Sequence, residues 1–222
     1  MKNIIAIILG GLFLFTSVFA DSTNVGIKLG ASTIAATGTS TTSGAAKVTH
    51  AEKEANFSLP SIFVERQFDT SGAFSLAIGL DLVPMSAEVG KLGGGNGFDA
   101  TLTAEDLITG YISPMYAVND KTTVYGKLGY SHADLEFTDI KRQASTGAKG
   151  PASTDKPSKA LMGPVFGIGI QMKSESSNLF SAVRLEASRT TFDQVTHTNS
   201  NAKKLTADAD MDVISFQLVK SF

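Results

Sequence analysis

The sequence predicts an all-β protein: an eight-stranded antiparallel up-and-down transmembrane β-barrel, preceded by a cleaved signal peptide. Three observations predict this fold. An apolar leader opens the chain, segments with a two-residue apolar period recur after it, and the connections between segments alternate long and short. Bacterial membrane barrels have an even number of strands, short turns at one end and longer loops at the other. The sheet must close, because hydrocarbon offers no partner to an unpaired backbone N–H or C=O group.

The first twenty residues have the parts of a secretory signal peptide. Lys2 supplies a basic start, an apolar run covers residues 4–15, and small residues stand at Val18 and Ala20. The run is shorter than the ~20 residues that a membrane-spanning helix needs, so an uncleaved membrane anchor is the weaker alternative. We therefore expect cleavage between Ala20 and Asp21, which leaves one barrel domain over residues 21–222.

Composition narrows the functional classes. The 21 acidic side chains slightly outnumber the 19 basic ones, which argues against a nucleic-acid partner. The chain has no cysteine, so the sequence predicts neither a disulfide framework nor a lipid anchor. Together with the leader and the two-residue apolar period, this composition favours an exported β-barrel.

The period-two segments and their connections alternate regularly. Short turn signals occupy residues 69–72, 119–121 and 174–178, and long polar links occupy 37–54, 86–100, 134–158 and 190–209. We expect the long links to be extracellular loops and both termini to be periplasmic. The eight predicted strands cover residues 24–36, 55–68, 73–85, 101–118, 122–133, 159–172, 179–189 and 210–222.

In most strands one parity is apolar and the other is polar. In the first strand Val25, Ile27 and Leu29 alternate with Lys28, and neighbouring strand side chains point to opposite faces. In the seventh strand we assign Leu179 to the apolar parity. The facing of the second and fourth strands stays open, because charged pairs interrupt both parities at residues 65–66 and 105–106.

The last strand carries a resemblance to a known family. Ile214, Phe216, Leu218 and terminal Phe222 share one parity, and Lys220 interrupts it at a place where its amine can snorkel. With the stretch GYISPMYAVNDKTTVYGKLGY over residues 110–130, this strand resembles the OmpA/opacity-type outer-membrane β-barrel domain.

The resemblance implies a location, partners and a role. It implies a bacterial outer-membrane protein that contacts outer-membrane lipids and lipopolysaccharide. Phe222, with Leu218 and Phe216, would be the signal that the outer-membrane assembly machinery recognises. The implied function is non-enzymatic: envelope integrity, or surface adhesion to a ligand or host factor through the extracellular loops.

Charged residues on the polar parity predict a charge network inside the barrel. A charge on the lipid face would cost ~2–4 kcal/mol at the membrane midplane, so these side chains should face the lumen. An eight-stranded barrel is just wide enough for side chains to fill, and buried charges of two signs should pair. We expect a closed lumen; the alternative is a narrow porin for ions or small solutes. The predicted network consists of Lys28, Asp81, Lys127, Arg184 and Glu186.

An enzyme, such as a lipid A-modifying one, is the third interpretation. The histidines, His50, His132 and His197, are expected in or beside long links. Ser131 and His132 are adjacent in a strand and so face opposite sides, which prevents them from acting as nucleophile and base. The sequence predicts no catalytic, cofactor-binding or metal site.

Three loop features have ordinary interpretations. The glycine-rich stretch at 93–97 lacks the Lys-Ser/Thr of a phosphate-binding loop and reads as a flexible loop. Asp208, Asp210 and Asp212 share one parity and predict a solvated acidic rim, with a divalent cation or a lipopolysaccharide bridge as the alternative. Basic pairs at 141–142 and 203–204 could meet anionic sugar phosphates.

Overall fold

The computed structural model describes residues 22–41, 48–70, 72–84, 86–93, 98–143, 149–152, 158–175, 177–198 and 204–222. None of these residues forms a helix long and apolar enough to cross a membrane. They form ten strand segments: β1 Ser22–Thr41, β2 Val48–Asp69, β3 Phe74–Leu82, β4 Ala87–Gly93, β5 Phe98–Ala117, β6 Thr122–Gln143, β7 Lys149–Ala152, β8 Ser158–Lys173, β9 Ala182–Thr198 and β10 Lys204–Ser221.

Within the described residues, eight of these segments close into a barrel. The order β5-β3-β2-β1-β10-β9-β8-β6 returns to β5 through the β5–β6 ladder, and every pairing is antiparallel. The short segments β4 and β7 lie alongside the extended parts of β5 and β6. The prediction of an eight-stranded antiparallel barrel is confirmed.

The first and last strands complete the closure. Their ladder runs from Asn24 opposite Ser221 to Thr41 opposite Lys204. Thr23 and Phe222 extend it, since each backbone N–H donates to the other residue's carbonyl, at 3.1 and 2.9 Å. No step of the wall between β1 and β10 is therefore left as an open edge over this range.

The strands are staggered around the cylinder. A hydrogen-bonding row that starts at Thr33 and passes through every strand reaches β1 again at Thr23, ten residues from its start. A barrel with such a stagger must have tilted strands, so each row of cross-strand neighbours climbs around the wall. The row is Thr33, Asp212, Arg189, Phe166, Leu128, Ile112, Ile78, Arg66 and Thr23.

The two ends of the barrel differ. The described residues of two tight connections, 70, 72–73 and 118–121, and of a longer one, 174–175 and 177–181, define what we call the turn end, where Thr23 and Phe222 also lie. Gly72 has a φ of 80°, which glycine adopts at little cost. The three short connections predicted from the sequence are thus confirmed as turns, but Leu179 lies in the last of them and not in β9. We call the opposite end the hairpin end.

The strands at the hairpin end are longer than predicted. The following residues of the predicted long loops belong to strands, so the prediction is wrong for them: 37–41, 48–54, 87–93, 98–100, 134–143, 149–152, 190–198 and 204–209. Threonine-rich segments suit a pleated sheet, and antiparallel pairing supplies the backbone with partners even where no apolar period marks it. Gly93 ends β4, and the rest of the glycine-rich stretch lies outside the described residues.

Facing is now defined in the two ambiguous strands. In β2, Glu65 points into the barrel and is fully buried, whereas Arg66 lies on the outer parity. In β5 the register shifts between Glu105 and Ile108, because β5 has one residue more than β6 there. Asp106, with a φ of 51°, lies in this bulge. The bulge exchanges the inward and outward parities, and a strict two-residue period therefore could not describe this strand.

Glycines make room for aromatic rings inside the barrel. Gly26, Gly79 and Gly169 are register partners of Phe63, Tyr111 and Tyr125, and each ring lies over its glycine. A Cβ on Gly79 would lie 2.5 Å from Cζ of Tyr111. The glycines thus allow the rings to cross the lumen and fill it.

Candidate functional site

Four charged side chains form a ring in the middle of the lumen. Lys28 Nζ lies 2.5 Å from Asp81 Oδ2 and 3.7 Å from Glu186 Oε1. Lys127 Nζ contacts the same two oxygen atoms, at 3.6 and 3.1 Å. All four residues are buried. Because the signs alternate around the ring, each ion has two neighbours of opposite charge.

A second ion pair lies beside the ring. Two nitrogens of the Arg184 guanidinium donate to the two oxygens of Glu65, at 3.0 and 2.5 Å. Glu65 also accepts from the Asn24 amide at 2.9 Å and from the Tyr111 hydroxyl at 3.0 Å, while Arg184 Nε donates to Gln171 at 2.7 Å. This forked, multiply bonded geometry is the one that compensates the desolvation of a buried pair.

Tyrosines join the two groups. Tyr125 donates its hydroxyl to Glu186 at 3.1 Å, and its ring centroid lies 5.3 Å from the Arg184 guanidinium. The Lys127 ammonium lies 4.3 Å from the ring centroid of Tyr111. These contacts make one assembly of six charges, three positive and three negative, that we call the lumen network. Its charged members are Lys28, Glu65, Asp81, Lys127, Arg184 and Glu186.

The five charges proposed from the sequence all lie in this assembly, and sequence reasoning missed Glu65. Its strand has apolar residues on both parities, so the period gave no facing for it. A usable signal was nevertheless present. The five proposed charges sum to plus one, and a lumen closed to water should hold a compensating carboxylate. Glu65, in the charged pair at residues 65–66, is such a carboxylate and could have been proposed as the sixth member of the network.

Apolar clusters lie on both sides of the lumen network. Phe63, Ala182 and Val219 pack together toward the turn end. A larger cluster fills the interior toward the hairpin end: Ile34, Leu59, Val83, Ala133, Leu161, Phe192, Met211 and Val213. Between them, Ser61 Oγ and Asp81 Oδ1 are buried without a protein partner among the described residues. Such atoms are usually satisfied by internal water.

The outer wall has a broad apolar surface. Ile168 and Ile214 expose 72% and 71% of their surface, and large apolar side chains surround the barrel at similar heights. We call this surface the apolar belt. Its members include Val25, Ile27, Leu29, Ile62, Phe74, Ile78, Ile112, Tyr116, Val124, Leu128, Phe166, Ile168, Leu185, Ile214 and Phe216.

Polar side chains replace the belt toward the hairpin end. Thr33 donates to Asn56 at 2.6 Å on the outer face. Arg189 contacts Asp210 at 3.0 Å and Asp212 at 3.7 Å, and Gln194 donates to Asp208 at 2.9 Å. The predicted acidic rim is therefore a set of cross-strand partners. Among the described residues, no group of three or more His, Asp or Glu side chains could hold a metal ion.

The remaining predicted residues are found as follows. Ser131 points inward and shares a 2.7 Å hydrogen bond with Thr109, while His132 is on the outer face, 3.7 Å from Asp134. His50 and His197 belong to strands, so their placement in long links was wrong, whereas His132 lies in a strand as predicted. Lys141, Arg142 and Lys204 also lie in strands; Ala20, Asp21 and Lys203 lie outside the described residues.

The predicted assembly signal lies on the outer face. Phe216 belongs to the apolar belt, Leu218 shares its parity, and Phe222 is 77% exposed at the turn end. Lys220, the polar interruption of this face, donates to the Asn178 carbonyl at 2.9 Å. Its amine thus leaves the apolar surface for a polar partner in the adjacent turn.

Comparisons with known proteins find similar solved structures at low identity. No family model and no curated protein matches the sequence. Ail, the attachment invasion locus protein of Yersinia pestis, is 12% identical with a TM-score of 0.38, covering 88% of this chain and 99% of its own. The outer membrane protease OmpT of Escherichia coli is 10% identical with a TM-score of 0.41, covering 92% and 99%. Neisserial surface protein A is 10% identical with a TM-score of 0.37, covering 86% and 96%. These likenesses are too distant to assign a function.

Removing one charge from the lumen network should be costly. Glu65→Gln leaves the Arg184 guanidinium buried without its counter-ion, so we expect the free energy of unfolding to fall by ~3–5 kcal/mol. Urea unfolding in lipid vesicles measures it. Lys121→Gln is the matched control, because the Lys121–Glu175 pair is exposed and should contribute less than ~1 kcal/mol. A loss for Glu65→Gln as small as for the control would contradict the network's role.

Proposed function

We propose that the chain is a non-enzymatic β-barrel of a bacterial outer membrane, with a closed lumen and a surface-recognition role at the hairpin end. The observation that carries the proposal is the two-faced wall. Its outside is apolar in a continuous belt, and its inside holds the buried ions of the lumen network. Monomeric soluble proteins rarely expose apolar patches larger than a few hundred Å², whereas hydrocarbon favours such a surface.

The hairpin end is the part suited to recognition. Beyond the apolar belt the strands continue with polar outer faces, for example at Thr33 in β1 and at Arg189 and Asp193 in β9. The larger apolar cluster packs inside this part of the barrel. A paired and internally packed extension presents outward side chains at fixed positions, which supports a contact surface better than loose loops would. An envelope-integrity role uses the same barrel without a specific ligand.

Membrane placement predicts how single cysteines react, since the chain contains no cysteine of its own. In cells that export the protein, a membrane-impermeant maleimide should label Glu54→Cys from outside. It should label Glu175→Cys at the turn end only after the outer membrane is opened. Ile168→Cys, in the belt, should stay unlabelled in both cases. Labelling of all three in intact cells would contradict the membrane location, and the reverse order would invert the topology.

The lumen network predicts that the barrel does not conduct. Six paired charges lie between two apolar clusters in the lumen, so we expect no continuous water path, and the purified protein in a planar bilayer should show no large, steady single-channel conductance. The control is the same preparation with its folding verified. A steady conductance would favour the narrow porin over the closed barrel.

Surface recognition predicts that the hairpin end can be shortened without loss of the fold. Replacing residues 194–207 by Asn-Gly joins β9 to β10 just beyond the Phe192–Ala209 pair and keeps Phe192 in the apolar cluster. Cells that display this variant should adhere less to epithelial cells than cells that display the parent chain, at equal amounts of folded barrel. Unchanged adhesion would contradict a recognition role for this hairpin and favour an envelope role.

A further inference from the structure

The barrel wall divides into two sheets at the hairpin end. Among the described residues, the β2–β3 ladder ends at the pair Ile62–Leu82, and the β8–β9 ladder ends at the pair Val165–Thr190. The other ladders, with β4 in place of β3, continue beyond these points. The strands β2, β1, β10 and β9 therefore form one four-stranded sheet, and β4, β5, β6 and β8 form another. We call these sheets the leaves and the two interruptions the seams.

Prolines explain where the two ladders end. Two residues beyond the last pair of the first seam, the register would bring Pro60 opposite Pro84, and neither has an N–H group to donate. At the second seam the next pair would be Pro164 and Thr191. The Thr191 carbonyl points toward β8, since a Cβ on Gly163 would collide with its oxygen. Pro164 offers this carbonyl no N–H, and proline in a sheet is confined to such unpaired edges.

The leaves pack face to face over the larger apolar cluster. Val83 belongs to the second leaf, because its backbone N–H donates to the Leu107 carbonyl of β5 at 2.9 Å. Two sheets with an apolar core between them have the architecture of a β-sandwich. Across the seams the leaves are thus joined by side-chain packing and not by a backbone ladder. The buried side chains are Ile34, Leu59, Phe192, Met211 and Val213 from the first leaf, and Val83, Ala133 and Leu161 from the second.

A side-chain hydrogen bond crosses the second seam on the outer face. The Tyr130 hydroxyl, on β6 in the second leaf, donates to Asp193 Oδ2, on β9 in the first leaf, at 3.1 Å. Tyr130 is the register partner of Pro164. Its side chain therefore reaches across β8 at the height where the β8–β9 ladder has ended. We call this hydrogen bond the latch.

The lumen network lies on the turn-end side of both seams. Asp81 is paired with Phe63 within the β2–β3 ladder, and Arg184 and Glu186 lie within the β8–β9 ladder. The backbone pairing beside these charges is intact. A movement of the leaves consequently does not require the ion pairs to break.

We propose that the two leaves part along the seams and that the Tyr130–Asp193 hydrogen bond is the latch that holds them together. Segments with fewer backbone hydrogen bonds open at a lower free energy than the rest of a fold. Parting uncovers the apolar cluster toward the outside, while the lumen network keeps the lumen closed. The hairpin end thus changes from a polar surface to an apolar one without becoming a pore.

Buried cysteines can report the parting, since the chain has no cysteine of its own. Ala133→Cys places a thiol in the apolar cluster, and Ser113→Cys places one inside the barrel on the turn-end side of the seams. Each variant is kept in detergent micelles, which give a small thiol reagent access to both ends of the barrel. Parting exposes position 133 alone, whereas global unfolding exposes both positions. We expect Ala133→Cys to react faster than Ser113→Cys.

Removing the latch should speed this reaction. Tyr130→Phe deletes the hydroxyl and keeps the ring. One hydrogen bond contributes about 1 kcal/mol, so Ala133→Cys should react about fivefold faster in this background, and Ser113→Cys should not change. Tyr116→Phe is the matched control, because Tyr116 is also an exposed tyrosine of the outer face but lies away from both seams. It should not change either rate.

Closing the second seam should have the opposite effect. Pro164→Val supplies an N–H opposite the Thr191 carbonyl and should slow the reaction of Ala133→Cys by a similar factor of about five. Equal rates at positions 133 and 113 would show that only global unfolding exposes the cluster, which would overturn the parting. Equal effects of Tyr130→Phe and Tyr116→Phe would overturn the latch. Both results are independent of the membrane location, which the maleimide labelling tests.

Discussion

The ladder between β1 and β10 is the contact on which the rest of the structure depends. It joins the two ends of the described chain, down to the mutual hydrogen bonds of Thr23 and Phe222. Without it the sheet would present two rows of unpaired backbone groups. In hydrocarbon each such group would cost several kcal/mol, so an open form of this wall has no stable place in a membrane. The closure also fixes the stagger, since the register of the last pair determines where each row returns.

The stagger in turn determines what the lumen can contain. Tilted strands bring inward side chains from distant parts of the chain to one height, and Glu65 meets Arg184 across 119 residues of sequence. The interior of an eight-stranded barrel is just wide enough for side chains to fill, so the ions lie in direct contact with one another. Each ion consequently has a partner of opposite charge, and the six charges sum to zero. Glu65 and Glu186 also accept hydrogen bonds from tyrosine hydroxyls. The glycines beneath the rings of Tyr111 and Tyr125 are needed for this pairing, because a side chain there would displace the tyrosine hydroxyls from their carboxylates.

The sequence predicted those parts of the structure that repeat with a simple period. The facing of Lys28 and Lys127 followed from apolar neighbours on both sides, and the short turns followed from their glycine and asparagine residues. Two parts were not predictable in this way. The bulge at Asp106 exchanges the two faces of β5 within a single strand, so a constant two-residue period cannot describe both sides of it. The strands at the hairpin end have polar outer faces and pair through their backbones. Their sequences therefore lack the two-residue apolar period from which strands were predicted.

The same distinction explains why the lumen network was found incompletely. Where a strand has a regular two-residue apolar period, a charged residue on its polar parity can be assigned to the lumen. Glu65 lies on a strand that is apolar on both faces, so this assignment was not possible for it. Which outward residues of different strands become neighbours is determined by the register of the ladders. Gly126 and Ala187 are unremarkable in sequence, yet the ladder places them on either side of Ile168 in one row.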